Sequence, residues 1–418
     1  MMKPHKTMLL HLFEAGVAAC KPEVCLPPYL PTLKNADKIC VIGAGKAAAH
    51  MAAVVSAAYP EQCYGTIVTR HGHAVGAETG AIKVFEASHP VPDHSSMVAA
   101  KLILAEAQHV PTDVPTLALI SGGGSALMCL PAPGLALPDK MAVHRFLLNS
   151  GASIKEMNIV RKHLSAIKGG RLGAAVRSEY FASFIVSDVV GDDPALVASG
   201  PTVADASAPA DALEILRSYG WDPIDAVEGL LQQASATAPE SPRQDRHIHM
   251  VASGKRMLTA AEAAAKMAGW RVCIIGAEVT GEASQVAKCH AAEALAAKRR
   301  GERCILLSGG ELTVSHDGTG GKGGPNQEYL LALAIALDGA PGIAALACDS
   351  DGIDGSEDNA GAYICDNTLG RASGLSLSPD SYLMTHDSYR FFAALDDLLV
   401  TGPTHTNVND FRAIVIDV

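Results

Sequence analysis

Five small residues in the N-terminal half of the chain follow an apolar run and have the chemistry of an anion site. They are Ser121, Gly122, Gly123, Gly124 and Ser125, directly after residues 117–120. The apolar run predicts a buried strand, and residues 126–128 favour the start of a helix. A glycine turn between a strand and a helix leaves backbone N–H groups unpaired beside the positive end of the helix dipole. We predict that this turn binds a phosphate, although a tight turn without a ligand has the same pattern.

A second glycine turn contains Gly43, Gly45 and Lys46 and follows a predicted strand at residues 39–42. The pattern G-x-G-x-x-A after a strand is typical of a dinucleotide site. An NAD site also needs an acidic residue after the next strand, where this chain has Arg70 and His71. Three interpretations stay open. Arg70 binds the 2′-phosphate of NADPH, Lys46 contacts a phosphate or carboxylate directly, or the turn is purely structural.

The rigid loop HPVPDH supplies one further candidate, His89, before a predicted helix. Asp93 or Ser95 in the same segment is suited to cap that helix, since both types accept bonds from helical N–H groups. Capping is the interpretation that the sequence favours for this segment.

A polar stripe lies on the predicted helix at residues 153–167. Asn158, Arg161, Ser165 and Lys168 are spaced three, four and three residues apart, which places them on one face. A solvent-exposed face is the alternative, but the stripe alternates with an apolar set that a core helix would need. We therefore predict an anion-binding face that carries two cations.

Carboxylates follow several predicted strands. Asp188 comes after residues 184–186, with Asp192 close behind, and Asp351 comes after residues 344–347. Open α/β sheets bind ligands at the carboxyl ends of their strands. These residues are therefore candidates to hold Mg²⁺ or to accept a proton, and Asp192 or Asp193 is alternatively a turn cap.

A further glycine-rich loop, GTGGKGGPNQE at residues 318–328, contains Lys322, Gly323, Gly324 and Asn326. Glu311 follows an SGG turn at residues 308–310. The loop is either a flexible surface segment or a cover for nucleotide phosphates, and we favour the second interpretation.

Composition bounds the kind of protein that carries these motifs. The 418 residues exceed one ordinary core, and 48% are hydrophobic with only 5% aromatic, as in tightly packed α/β layers. We place the domain boundary in the polar, proline-bearing stretch at residues 235–246, which gives domains 1–240 and 241–418. The net charge of −11 argues against nucleic-acid binding, so any anionic ligand must meet local cations.

Location follows from what the sequence lacks. No apolar run reaches membrane-spanning length, and the first residues do not have the pattern of a signal peptide. Ten cysteines are scattered without CxxC pairs, which is typical of reduced thiols. We expect a cytoplasmic protein.

The ordered motifs resemble those of the class II glycerate 2-kinases, also called the MOFRL family, over nearly the whole chain. The motifs that carry the resemblance are VIGAGKAAAHMA, HPVPDHSS, LISGGGSALMCLPAPG, NIVRKHLSAIKGGRL, SDVVGDDPALVASGPTV, SGGELTVSHDGTGGKGGPNQE, DSDGIDG and TGPTHTNVND. The resemblance implies an α/β protein with an N-terminal Rossmann-like three-layer domain, a smaller C-terminal α/β domain, and a cleft between them. A homodimer is a further expectation.

The same resemblance implies that ATP and Mg²⁺ phosphorylate the 2-hydroxyl of D-glycerate, giving 2-phosphoglycerate and ADP. The family's cleft lysine falls on Lys46, whereas its glycine-loop arginine falls on Pro325, so that Lys322 is the candidate replacement. Some relatives bear the name hydroxypyruvate reductase, and an NAD(P)H-dependent reductase is therefore the alternative. The chain has neither a Walker A motif nor the protein-kinase motif set.

The candidate site residues fall into four groups. They are Lys46 and Asp188 for catalysis; Asn158, Arg161 and Lys168 for the substrate; Gly43, Gly45, Ser121, Gly122, Gly123, Gly124, Ser125, Glu311, Lys322, Gly323, Gly324 and Asn326 for the nucleotide; and Asp192 and Asp351 for the metal.

Overall fold

The computed structural model describes residues 4–33, 35–222, 224–235, 247–315 and 320–418, and these residues form two compact units. The Rossmann unit contains the described residues of Leu26–Ser187 and Asp192–Val251, and the second unit those of Met1–Cys25, Asp188–Gly191 and Ala252–Val418. The chain therefore begins in the second unit. The expected boundary at residues 235–246 lies almost wholly outside the described residues and stays a prediction.

The helices and strands alternate along most of the chain. The helices are α1 (Pro4–Cys20), α2 (Pro22–Cys25), α3 (Ala48–Ala58), α4 (His94–His109), α5 (Gly124–Leu127), α6 (Leu137–Ser150), α7 (Ile154–His163), α8 (Arg171–Ala175), α9 (Pro209–Ser218), α10 (Asp225–Ser235), α11 (Gly254–Met267), α12 (Ala283–Arg299), α13 (Pro325–Leu337), α14 (Thr368–Gly374), α15 (Pro379–Met384) and α16 (Ser388–Ala394). The strands are β1 (Ile39–Ala44), β2 (Cys63–Arg70), β3 (Ile82–Ala87), β4 (Thr116–Ile120), β5 (Phe181–Val186), β6 (His247–Ala252), β7 (Arg271–Glu282), β8 (Cys304–Thr313), β9 (Ile343–Asp349), β10 (Gly361–Cys365), β11 (Leu398–Leu399) and β12 (Asp410–Ile416).

The sheet of the Rossmann unit has the strand order β3-β2-β1-β4-β5-β6, which is the order of the dinucleotide-binding fold. β1 pairs in parallel with β2 and β4, and β4 pairs in parallel with β5. Every residue of β1, β4 and β5 is buried, because helices cover both faces of a parallel sheet. The predicted Rossmann-like fold is thus confirmed.

The second unit has a mixed sheet of order β11-β10-β9-β12-β8-β7. β12 lies antiparallel between β8 and β9, whereas β7 pairs in parallel with β8. Helix α13 is buried along nearly its whole length, since an apolar helix without a polar face must be covered on all sides. The two-domain α/β class is confirmed, with the second sheet mostly antiparallel.

Two helices differ from their predicted lengths. α7 begins at Ile154 and is capped by Ser153, whose hydroxyl accepts from Glu156 N while the Glu156 carboxylate accepts from Ser153 N. It ends at His163, so Ser165 and Lys168 lie in the following turn rather than on the helix. α5 has only four residues, so the helix after the first glycine turn is a single turn. No helix of the described residues is long and apolar enough to cross a membrane.

Candidate functional site

The two glycine turns of the Rossmann unit pack against each other, because β1 and β4 are neighbours and end at the same edge. Lys46 N donates to Gly122 O at 2.8 Å, and Ala47 N donates to Ser121 Oγ at 3.0 Å. A Cβ atom on Gly45 would lie 2.1 Å from Ser121 Oγ, and one on Gly43 would lie 2.2 Å from Leu119 O. These two glycines are therefore needed for the close approach of the two turns.

Backbone N–H groups and a lysine meet at the tip of the first glycine turn. The N–H groups of Gly122 and Gly123 have no hydrogen-bond acceptor in the described part of the chain. A Cβ atom on Gly123 would lie 3.1 Å from His89 Cδ2 and 3.3 Å from Lys46 Cγ. Because α5 is a single turn, its dipole is small, so an anion at this turn would depend on these N–H groups and on Lys46. His89 joins this surface, while Asp93 caps α4 through Ser96 N at 2.9 Å as expected.

Four basic side chains form what we call the basic cluster: Lys140 and His144 on α6, Arg161 on α7, and Lys168 in the turn after α7. Lys140 and Lys168 are only 8% and 3% exposed. Arg161 Nε donates to His144 Nδ1 at 3.1 Å, and Lys140 Nζ donates to Leu164 O at 3.1 Å. Among the described residues, no carboxylate forms an ion pair with any member of the cluster.

Burial lowers the pKa of each member of the basic cluster, and repulsion by neighbouring cations adds to the shift of Lys140, His144 and Lys168. Burial lowers the pKa of Lys140 to about 8, and burial together with the Arg161 charge lowers the pKa of His144 to about 4. Burial, reinforced by Lys140 and Arg161, holds the pKa of Lys168 well below its ordinary value. A bound anion would favour the charged forms of Lys140, His144 and Lys168 and would so offset these shifts.

A chain of hydrogen bonds connects the basic cluster to the first glycine turn. Lys168 Nζ donates to Ser125 O at 2.8 Å and to Ser125 Oγ at 2.5 Å. Ser125 Oγ lies 3.1 Å from Ser199 Oγ, which donates to Asn158 Oδ1 at 3.2 Å. The structure thus brings Asn158, Arg161, Lys168 and Ser125 together in one unit. Ser165 is not part of this group, because its hydroxyl donates to Leu130 O.

A second buried polar group, which we call the Asp410 network, lies in the second unit. Arg412 Nη1 donates to Asp410 Oδ2 at 2.8 Å, and Asn326 Nδ2 donates to Asp410 Oδ1 at 2.6 Å. Asp354 accepts from the N–H groups of Asn326 and Gln327 at 3.1 and 2.9 Å, which caps α13. Asp410 is therefore paired with a cation, whereas Asp354 accepts from neutral donors only, and burial, reinforced by Asp410, raises the pKa of Asp354 to about 7.

Comparison with known proteins agrees with this architecture. Residues 8–232 match the model of a domain of unknown function, DUF4147, and residues 304–410 match the MOFRL family. The chain is 34% identical to the D-glycerate 2-kinase of Thermotoga maritima over 97% of each chain. This chain belongs to the MOFRL family of glycerate 2-kinases.

Two further relatives place the chain within the family. A crystal structure of glycerate kinase from Thermotoga maritima has a TM-score of 0.89, 33% identity, and coverage of 99% of both chains. An Agrobacterium vitis protein whose provisional name is hydroxypyruvate reductase is 47% identical over 98% of this chain and 94% of its own length. Both names that the motifs led us to expect, glycerate 2-kinase and hydroxypyruvate reductase, thus occur among the relatives.

The glycine loop typical of the family is packed against its own unit in its described part, while Gly318 and Thr319 lie outside the described residues. Lys322 N donates to Asp387 Oδ1 at 2.9 Å, and Lys322 Nζ donates to Glu357 Oε2 at 3.2 Å. A Cβ atom on Gly323 would lie 2.3 Å from Ser388 Oγ, and one on Gly324 would lie 2.4 Å from the Asp354 carbonyl carbon. Packing alone therefore requires glycine at these two positions, and the nucleotide roles of the loop, of Asn326 and of the exposed Glu311 stay predictions.

The candidate acidic residues are distributed over both units. In the second unit, Asp188 Oδ2 accepts from Asn407 Nδ2 at 3.3 Å, and the buried Asp351 accepts from Ile353 N at 2.8 Å. In the Rossmann unit, Asp192 has a positive φ of 51°, and Asp193 is the residue that caps the next turn, through Ala195 N at 2.9 Å. No group of three or more acidic, histidine or cysteine side chains in the described ranges is arranged to hold a metal.

Sequence reasoning missed Lys140 and His144, which complete the basic cluster. Their only signal is an i, i+4 spacing on α6, which a solvent-exposed basic face has equally often. A long-range contact decides their role, because Lys140 reaches the carbonyl of Leu164 and His144 reaches Arg161, both beyond the end of α6.

Proposed function

We propose that this protein transfers the γ-phosphoryl group of ATP to the 2-hydroxyl of D-glycerate, giving 2-phosphoglycerate and ADP. The observation that carries the proposal is a buried basic cluster without a carboxylate partner in the described part of the Rossmann unit, linked by Lys168 and Ser125 to a turn with unpaired N–H groups. The reaction brings two anions together, a carboxylate and a polyphosphate. The names of the glycerate 2-kinase relatives support the same reaction.

Lys46 is proposed to stabilise charge on the transferring phosphoryl group. Its backbone is fixed by Gly122 O, and the start of its side chain lies beside Gly123, whose N–H group is unpaired within the described residues. Phosphoryl transfer depends mainly on positioning and on charge stabilisation, and a cation beside preorganised N–H groups supplies both. Residues Ser121 to Ser125 then bind the nucleotide phosphates, with Glu311, Lys322, Gly323, Gly324 and Asn326 as further nucleotide contacts, and Gly43 and Gly45 shaping the turn.

Arg161 is proposed to bind the carboxylate of D-glycerate. Its planar guanidinium presents parallel N–H donors that match the two oxygens of a carboxylate. Burial lowers the pKa of Arg161 without removing its charge. His144 accepts from Arg161 Nε and orients the guanidinium, while Lys140, whose pKa burial lowers to about 8, adds to the local positive potential that a small anion meets. Asn158 and Lys168 complete the substrate side of the site.

We propose that carboxylates of this chain would hold Mg²⁺, which would supply charge neutralisation at the nucleotide phosphates. Mg²⁺ in phosphotransferases is usually held by one or two protein carboxylates together with the substrate phosphates. It therefore does not require a group of three or more ligating side chains, which the described residues do not contain. Asp351 and Asp192 are the proposed ligands. Asp188, held by Asn407, is proposed as a third acid at the reaction centre, as ligand or as proton acceptor.

A reductase finds less support in the turn after β1. The dinucleotide fingerprint uses its second glycine to bring a pyrophosphate close to the backbone, whereas here Ser121 Oγ occupies the Cβ direction of Gly45. No acid follows β2, which ends at Arg70. The glycine turn therefore packs against β4 and its following turn.

The test is a product assay with purified protein, ATP, Mg²⁺ and D-glycerate, in which 2- and 3-phosphoglycerate are resolved by chromatography. We expect 2-phosphoglycerate and an equal amount of ADP. Release of 3-phosphoglycerate would contradict the proposed acceptor atom. Oxidation of NADH or NADPH by hydroxypyruvate, without ADP formation from glycerate, would replace the kinase with a reductase.

We further propose that the protein acts in the cytoplasm on a free small molecule and forms a homodimer. The acidic net charge of −11 and the absence of a membrane-spanning helix among the described residues support the first statement. The edge strand β7, with Ile274 41% exposed, supports the second. Light scattering at micromolar concentration tests the dimer, which a monomeric mass would exclude.

A further inference from the structure

The amine of Lys168 is held by two hydrogen bonds to neutral groups of the protein, which a lysine that only binds anions does not require. Nζ lies in a buried side chain and donates to both the carbonyl and the hydroxyl of Ser125. A tetrahedral amine has three directions besides its bond to carbon. Within the described residues the third direction has no hydrogen-bond partner.

The direction of each hydrogen bond around Ser125 follows from counting protons. Asn158 Oδ1 can only accept, so the single hydroxyl proton of Ser199 is directed to it. Ser199 Oγ must then accept from Ser125, whose own proton is used in that bond. Ser125 Oγ is left as an acceptor, and Lys168 Nζ is its donor. The chain therefore fixes the orientation of the lysine amine.

The charges around Lys168 are almost all positive. Lys140 faces it from α6, Arg161 faces it from α7, and the Cys129 thiol faces it from the segment after α5. His144 on α6 also faces it, but burial and the neighbouring cations lower the pKa of His144 to about 4, so that its imidazole is neutral near neutral pH. Arg171 on α8 lies close enough for its charge to lower the pKa of Lys140. Burial and these cations hold the pKa of Lys168 well below its ordinary value, which favours the neutral amine. A neutral amine that donates two N–H groups keeps one lone pair, and that pair occupies the third direction.

We propose that Lys168 is the base that takes the proton from the attacking hydroxyl of glycerate, with Ser125, Ser199 and Asn158 as the positioning residues that aim its lone pair. This inference rests on the proposed kinase function. As the hydroxyl oxygen bonds to the γ-phosphorus, its O–H bond breaks and the proton moves to Nζ. The bond from the γ-phosphorus to the leaving oxygen breaks with its electron pair, ADP departs, and the ammonium of Lys168 later returns its proton to water.

The decisive variant is Lys168→Arg, because arginine keeps N–H donors at this position but is not deprotonated in proteins and so cannot act as a base. We expect turnover to fall about 10²- to 10⁴-fold, which is the usual contribution of a general base. D-glycerate binding, measured by calorimetry, should stay within about tenfold, since the site keeps Arg161 and Lys140 and loses no positive charge. The matched control is Lys155→Arg on α7, the helix that precedes Lys168. The side chain of Lys155 is exposed and lies outside the basic cluster, so this variant should leave turnover unchanged.

A second variant tests the base without touching Lys168. Asn158→Asp keeps an acceptor for Ser199 but adds a negative charge, which raises the pKa of Lys168. The alkaline-rising limb of the kcat profile should therefore move to higher pH, so that activity lost near neutral pH returns at more alkaline pH. A purely structural role for Asn158 would lower kcat by the same factor at every pH.

The outcomes separate this inference from the proposed function. If the wild-type protein forms no phosphoglycerate at any pH, the kinase function itself is excluded. If the wild type is active and Lys168→Arg turns over within tenfold of it, Lys168 is not the base. A kcat limb that Asn158→Asp does not move, and that Asp188→Asn abolishes, would assign the proton to Asp188 instead.

Discussion

The basic cluster and the Asp410 network are both buried and both polar, but only the Asp410 network contains an ion pair among the described residues. In the second unit, Arg412 is 1% exposed and pairs with Asp410, while Asn326 and Gln327 supply donors to Asp354. In the Rossmann unit, Lys140, His144, Arg161 and Lys168 lie together with no carboxylate partner within the described part of the chain.

The presence or absence of a carboxylate partner separates buried charges that stabilise the fold from buried charges that we propose to bind a ligand. A buried ion pair with its hydrogen bonds satisfied keeps its partners in register, and removing one partner leaves an uncompensated charge. Unpaired buried cations repel one another and lower the stability of the folded state, so the fold gains nothing from them. The presence of such cations in the Rossmann unit is the reason for proposing a binding site for an anion there.

The largest expected effect is on stability and comes from the Asp410 network. Arg412→Leu removes the partner of Asp410 and the donor to Gly309 O, leaving a buried carboxylate unpaired. We expect the free energy of unfolding to fall by about 3–5 kcal/mol, measured by urea denaturation.

Its control is Lys266→Met, which breaks the exposed pair with Glu262 on α11. The loss there should stay below about 1 kcal/mol. Equal losses for the two variants would remove the distinction between a buried, satisfied network and a surface pair.

The next effect is on turnover and comes from the glycine-turn surface. Lys46→Ala removes the cation beside Gly123 and should lower kcat about 10²- to 10³-fold, as loss of one charge-stabilising donor does elsewhere. The midpoint of thermal unfolding should change little, because Lys46 is only partly buried. A variant that turns over at the wild-type rate would remove Lys46 from the mechanism.

A smaller effect should appear in substrate affinity. Arg161→Lys keeps the charge but loses the planar pair of donors, so the KM for D-glycerate should rise roughly tenfold while the KM for ATP stays nearly constant. Stability should not fall as it does for Arg412→Leu, because Arg161 forms no ion pair among the described residues. Weaker ATP binding with unchanged glycerate binding would show that the two anions have been exchanged in this assignment.

The smallest effect is a pH dependence that the basic cluster should give. Burial lowers the pKa of Lys140 to about 8, so its charged form is present below that pH and is lost above it. The value of kcat/KM for D-glycerate, which reports the free enzyme, should therefore decline as pH rises through about 8. Lys140→Arg, whose guanidinium stays charged, should remove the decline, and a profile identical to wild type would contradict the role of Lys140.

Much of the fold was readable from the sequence because its signals are local. The apolar runs at residues 39–42 and 117–120 became β1 and β4, since a strand buried on both faces has no polar alternation to hide it. Gly43, Gly45 and Gly123 marked the turns where a side chain would collide with a neighbouring strand or loop. The spacing of Asn158 and Arg161 placed both on one face of α7, which is a property of helix geometry alone.

The tertiary structure decided which buried polar residues have partners of opposite charge or complementary hydrogen-bonding groups and which lie among like charges. Asn326 and Lys168 both follow from motifs, but only the fold puts Asn326 between two carboxylates and Lys168 among cations. Beyond its spacing from His144, nothing in the sequence marked Lys140, because its partner Leu164 lies 24 residues away and its pKa depends on burial. Residue type and spacing determine where donors and charges can be placed along an element, whereas the energy of a charge depends on its distance from water and from other charges, which only packing sets.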